Sequence, residues 1–408
     1  MSTVATGDIE RTRWFPITLL VLCGIAAAVM FSKVSVSFAA ITEHYRVSET
    51  VTAWLISAPA VVGIVFGLTA SVVAARLGFR RVLIVCLIVA TFLALAQSSL
   101  LPLPLFFVSR VIEGITHIGI VVSAPVLIIQ FAARRQRALA MSLWATFFGL
   151  AFALAGWVAP PMVASWGLGS LFLAHAIMLA VLGVAVLFTL PRVSGDAPLP
   201  EQAHLGFVRA HLLAYRHARS VLPGLIFIFH TAMYVPLVTF VPLEVGSGAA
   251  AVLLVWMPLV SIGGTVVAGL VAQRMTSPPV LLLVGFLGVL VLLVLIALVL
   301  HIELWVTLLA LVMMFFSGLI QGASFGLIPT LSHDPVVSAN ANGVLTQVGN
   351  VGSTLGPPVF ASVLALGTGF NGMVYLVAAL VAGGCLFSVL ALRLVRRDAL
   401  AARQPAPA

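Results

Sequence analysis

Runs of twenty or more apolar residues recur along this 408-residue chain with almost no charge inside them. That pattern fixes the solvent in which the chain folds, because about 20 apolar residues in a helix cross the ~30 Å hydrocarbon core of a bilayer. A window of about 19 residues places such spans near 15–40, 51–75, 82–101, 104–131, 138–163 and 168–190. A second set lies near 221–243, 249–272, 278–300, 304–331, 339–366 and 370–393. Transmembrane strands do not fit, since these runs are continuously apolar rather than alternating. Only 8% of the residues are charged, against roughly 25% in soluble domains. A soluble enzyme, a large extramembrane domain and a nucleic-acid binder relying on the +9 net charge are thereby excluded. Cys23, Cys86 and Cys385 all lie in apolar runs and read as small buried hydrophobes, not as a disulfide framework. The first run is too long for the apolar region of a cleaved leader, so it reads as a retained first helix.

The predicted fold is an all-α polytopic membrane protein of twelve helices in two six-helix bundles, 1–190 and 221–408, joined by a linker at 191–220. With the N-terminus placed inside, 17 of the 19 arginines fall on the cytoplasmic side and only Arg46 falls on an outer loop. The positive-inside bias therefore predicts both termini in the cytoplasm. Pro191–Pro198 is rich in helix breakers. Leu205, Val208, Leu212 and Tyr215 share a helical face with arginines between them, which suits either a helix lying on the anionic leaflet or a solvated loop. The halves also echo each other. Ser57-Ala58-Pro59 and Arg76 correspond to Trp256-Met257-Pro258 and Arg274, while Glu113-Gly114 and Pro125 correspond to Gln321-Gly322 and Pro329. Such repeats are common in transporters, with the site between them.

Several motifs resemble those of the major facilitator superfamily. Arg76, Gly78 and Arg80, within Ala75–Leu83, resemble its D-R-x-G-R-[RK] loop signature, with Ala75 in place of the acid and Phe79 in place of an arginine. Arg110-Val111-Ile112-Glu113-Gly114 resembles R-x-x-Q-G, with glutamate where glutamine is usual. Gly352-Ser353-Thr354-Leu355-Gly356-Pro357 is similar to the G-x-x-x-G-P motif that exporters carry in span 5, although it lies in span 11. The stretch 114–144 is similar to cyanate-permease-type and sugar-efflux members. The resemblance implies two bundles related by a pseudo-two-fold axis, a central cavity lined by spans 1, 4, 7 and 10, and a gating loop at Arg76, Gly78 and Arg80. It also implies that spans 2 and 11 meet across the halves, where Gly63, Gly67, Gly352 and Gly356 would permit close contact.

Two cations, Lys33 and Arg110, fall inside spans. Charge at mid-bilayer costs at least ~2.5 kcal/mol and calls for a partner. Lys33 and the pair Arg110 and Glu113 lie about 9–14 Å below the outer surface by helical rise. Arg110, Glu113, Gly114 and His117 share one helical face. One reading is a site where Lys33 and Arg110 attract an anionic or carboxylate-bearing solute, while Glu113 and His117 exchange protons. The other is that Arg110 and Glu113 pair only to permit insertion, that Lys33 snorkels to the interface, and that His117 bonds a backbone carbonyl. His230 and Tyr234 in span 7, with Gln321 in span 10, would bind a polar solute or join helices. Thr231, Ser324, Asn342, Gln347 and Asn350 carry the same two readings, and Trp144, Phe147 and Trp256 would either stack on a solute or pack.

The expected function is secondary active transport of a small organic solute, proton-coupled and by alternating access, in the inner (plasma) membrane. Multidrug or metabolite efflux by proton antiport is the rival, and a non-transporting receptor or scaffold the more distant one. The expected partners are the solute, protons and lipid, with no nucleic acid, and the chain is expected to act as a monomer. No nucleotide-binding signature of the G-x-x-x-x-G-K-[ST] type, no metal-ligand spacing and no sign of a cofactor or of enzymatic chemistry appears.

Overall fold

The computed structural model describes residues 11–191, 207–274, 276–331 and 335–401. Among them no strand occurs and nearly every residue is helical. The breaker-rich stretch 192–206 and Arg403 lie outside the described residues. The chain divides into two compact units, Met1–Ala210 and His211–Ala408.

The first unit contains α1 (Trp14–Val36), α2 (Phe38–Tyr45), α3 (Glu49–Phe66), α4 (Ala70–Leu77), α5 (Phe79–Ser98), α6 (Leu103–Phe131), α7 (Arg137–Ala145), α8 (Phe147–Trp166) and α9 (Leu168–Thr189). Helix α10 (Phe207–Arg216) crosses the boundary between units. The second unit contains α11 (Ala218–Phe240), α12 (Ser247–Arg274), α13 (Pro278–Leu298), α14 (Glu303–Leu331), α15 (Pro335–Val363) and α16 (Gly369–Ala401).

Three predicted spans are each two helices. The first breaks at Ser37, the second across 67–69 and the fifth at Thr146. At the last break the Thr146 hydroxyl donates to the Leu143 carbonyl at 2.7 Å, a local bond that competes with the helical ladder. Eleven segments are long and apolar enough to cross a membrane, counting 340–398 once. At 1.5 Å per residue those 59 residues are far too long for a single crossing. They divide at Gly367 and Gly369, whose φ angles of +76° and +55° turn the chain between α15 and α16. The described helices therefore account for twelve crossings.

Inside each unit the same neighbours recur. In the first, α1 packs on α6 and α8, α3 on α6, and α5 on α6 and α9. In the second, α11 packs on α14 and α15, α12 on α14, and α13 on α14 and α16. Matching spans thus make matching contacts, as the sequence echoes predict. Close approach depends on glycine. A methyl group at Gly114 of α6 would overlap the Pro59 carbonyl of α3, and one at Gly318 of α14 would overlap the Ser261 carbonyl of α12. Gly352 and Gly356 of α15 meet the backbone of α11 at Ile228 and Ala232, so their close contact lies within the second unit.

Helix α1 is buried on nearly all sides, between α6, α8 and α9. Ser32, Lys33 and Ser35 on it therefore meet protein, not lipid. The close glycine contacts yield a direct test. Gly318→Val should cost about 1–3 kcal/mol or more through overpacking, read as a lower unfolding midpoint in detergent. Gly263→Ala, with open space around its Cβ, should be neutral or stabilise the chain by about 0.5–1 kcal/mol.

Candidate functional site

The intramembrane charges of the first unit converge on one carboxylate. The Lys33 ammonium of α1 donates to Glu113 Oε1 of α6 at 2.7 Å, to Gln97 Oε1 of α5 at 2.8 Å and to His175 Nδ1 of α9 at 3.1 Å. Arg110 Nη1 pairs with the other oxygen of the same carboxylate, Oε2. Its Nε donates to the Leu55 carbonyl of α3 at 3.0 Å. Lys33, Gln97, Arg110 and Glu113 are each 0% exposed and His175 is 3% exposed. Helices α1, α3, α5, α6 and α9 all supply a partner.

An ammonium has three N–H donors, and the three acceptors occupy them. A snorkelling Lys33 is thereby excluded, because the side chain ends in protein with no exposed atom. Its Nζ also sits 4.9 Å from the centre of the Phe172 ring, which adds a cation–π attraction. Gln97 is held in turn, its Nε2 donating to Ser109 Oγ at 3.0 Å. His175 Nε2 lies 2.9 Å from the Ala26 carbonyl. Since Nδ1 must accept from Lys33, the proton of the neutral ring belongs on Nε2, where it bonds Ala26. Two cations against one carboxylate leave the cluster with one positive charge in excess. Arg110 Nη2 is buried and has no hydrogen-bond partner.

The other predicted residues fall elsewhere. Gly114 serves the α3–α6 contact. His117 stands one turn beyond Glu113, with Nδ1 3.0 Å from the Ala27 carbonyl and its ring edge-on to Phe31 at 5.0 Å. In the second unit the structure brings together His230, Tyr234 and Gln321. The His230 and Tyr234 rings are 5.6 Å apart, the Gln321 side chain neighbours His230, and His230 Nδ1 is buried without a partner. Thr231, Ser324, Asn342 and Asn350 bond carbonyls of their own helices. Gln347 ties α15 to α10, accepting from the Tyr215 hydroxyl at 3.1 Å and lying 3.2 Å from His211 Nε2. Trp144 and Phe147 stack on each other at 4.6 Å, and Trp256 is 53% exposed.

In the loop signature, Gly78 adopts φ +89° between α4 and α5. Arg80 donates to the Leu187 and Leu190 carbonyls at 2.9 and 3.1 Å, capping the C-terminal end of α9. Arg76 lies in the last turn of α4. The three cysteines are free. No group of residues suited to holding a metal occurs among those described.

Sequence reasoning missed Gln97 and His175. The signal was their depth: each lies within about 10 Å of the same helix ends as Lys33 and Arg110 by helical rise, and each is an isolated polar residue in an apolar span.

The profile of the Major Facilitator Superfamily matches residues 20–357. Comparison with curated proteins returns no match. With twelve helical crossings and a match over most of its length, the chain belongs to the Major Facilitator Superfamily. It is a multi-pass membrane protein and a secondary transporter of a small-molecule solute.

The charge balance orders the variants. Lys33→Met leaves the Arg110–Glu113 pair neutral, whereas Glu113→Gln leaves two buried cations unpaired. Removing one partner of a buried pair costs about 3–5 kcal/mol, so Glu113→Gln should show the larger fall in unfolding midpoint by differential scanning fluorimetry, and Lys33→Met the smaller.

Proposed function

We propose that the chain moves a small organic solute bearing a carboxylate or another anionic group across the inner (plasma) membrane, by alternating access and coupled to protons. The observation that carries this reading is the excess positive charge beside the unpartnered Arg110 Nη2. A buried donor without an acceptor costs about 1–3 kcal/mol, and an anionic group reaching Arg110 would remove that cost. Such a solute competes with Glu113 for the two cations. Once displaced, Glu113 takes a proton rather than remain an isolated carboxylate in a low-dielectric interior. Solute entry and proton entry are linked in this way, with Lys33 and Arg110 as the anion-binding groups and Glu113 as the proton carrier.

Within the second unit, His230, Tyr234 and Gln321 supply neutral hydrogen-bonding groups to a polar solute, and in the first unit His117 is a further proton-exchanging group one turn from Glu113. Arg76, Gly78 and Arg80 form the gating loop of the first bundle. Both termini face the cytoplasm, the bundles are 1–190 and 221–408, and the transporter acts as a monomer with solute, protons and lipid as its partners.

The test is flux into proteoliposomes under an imposed pH gradient, across a panel of small carboxylates. Arg110→Met leaves the Lys33–Glu113 pair neutral, so Glu113 keeps one counter-charge, yet removes the orphaned donor; its folding is checked by the unfolding midpoint. Flux should fall by about tenfold or more, the equivalent of a lost charge-assisted hydrogen bond. Undiminished flux in Arg110→Met would remove the anion site from this cluster.

A further inference from the structure

The Lys33–His175 contact is not needed to neutralise anything, because the cluster already carries excess positive charge. It nevertheless places an imidazole nitrogen 3.1 Å from an ammonium. With Lys33 as the ammonium, that geometry admits one state of the ring. Lys33 has no lone pair while it remains an ammonium, so His175 Nδ1 must be the acceptor and must be unprotonated. His175 cannot escape by turning its ring over, because Nε2 is committed to the Ala26 carbonyl.

We infer that His175 is a positioning residue whose neutral ring holds the Lys33 ammonium on Glu113, and that a proton on Nδ1 releases it. A proton there sets an N–H against the Lys33 N–H, and two cations face each other without water between them. Lys33 must then leave the ring, which loosens α1 from α9 and frees one donor of the cluster. The charged groups around His175 are Lys33 from α1 and Arg110 and Glu113 from α6. From α5 it meets uncharged Gln97 through Lys33; Arg80 of α5 is at the opposite end, on the α9 carbonyls. Helix α8 carries no titratable residue. Glu113 is thus the one counter-charge, already shared by two cations. The inference rests on the same cluster as the proposed transport site and extends it: acid would release Lys33, one of the groups proposed to receive the anion.

The experiment needs no solute. The full chain is purified in detergent and its unfolding midpoint is measured at about pH 7.5 and about pH 5 for the native protein, His175→Asn, Lys33→Met and the double variant. Asparagine can still accept from Lys33 but does not titrate in this range. The acid-induced fall should be smaller by a few degrees in His175→Asn than in the native protein. In the Lys33→Met background, adding His175→Asn should change that fall by less than half as much. An equal change in both backgrounds would mark His175 as an ordinary buried histidine and overturn the inference. Hydrogen exchange of the native protein reads the same event without a variant. Segments 26–36 and 170–180 should lose about tenfold in protection at the lower pH, corrected for intrinsic rates, relative to 281–293. Unchanged relative protection would also overturn it. Intact flux in Arg110→Met together with these pH effects would refute the anion site and leave the role of His175 standing.

Discussion

A carboxylate placed at bilayer depth has to be neutralised or paired, because the interior offers it no water and isolated charge there is expelled. Glu113 is paired twice, through one oxygen to Lys33 and through the other to Arg110. Much of the first unit follows from that demand. Lys33 reaches Glu113 because α1 runs through the middle of the unit, and Gln97 and His175 are drawn in because an ammonium needs three acceptors. Arg110 extends the set to the backbone of α3. Five helices are tied together by one group of side chains, so a change in protonation or in counter-ion is felt by all five.

The second unit shows what happens to the same frame without that charge. Its helices have the same neighbours, and the glycine contact between α12 and α14 matches the one between α3 and α6. Gln321 stands where the repeat places Glu113, and its neighbour is a histidine rather than a lysine. Packing has been retained while the chemistry has diverged. At these matched positions the first unit holds charge and the second neutral hydrogen-bonding groups.

The twelve crossings were legible because apolar runs of this length have a single physical explanation, and the echo of Pro59 in Pro258 and of Gly114 in Gly322 carried the repeat. The breaks at Ser37 and Thr146 were not legible, since neither carries a glycine or proline at the bend and the apolar run resumes beyond each. The association of Arg110 with Glu113 followed from their spacing of three on one helix. The place of Lys33 did not, because its depth suits burial and snorkelling equally, and only the packing of α1 decides between them. His175 and Gln97 come from separate spans, and nothing local in either span points to a lysine on α1. His117 shares a helical face with Glu113 but lies one turn further along, where a backbone carbonyl takes it up.

The central claim is that the excess charge around Glu113 serves an anionic solute. Counterflow in proteoliposomes measures it most directly, with each candidate carboxylate paired against its own amide, which has the same shape and no charge. Exchange of the carboxylate at a rate at least about tenfold above that of its amide, as expected for a charge-assisted contact, is the predicted result. A solute carried equally well as acid and as amide would contradict the account.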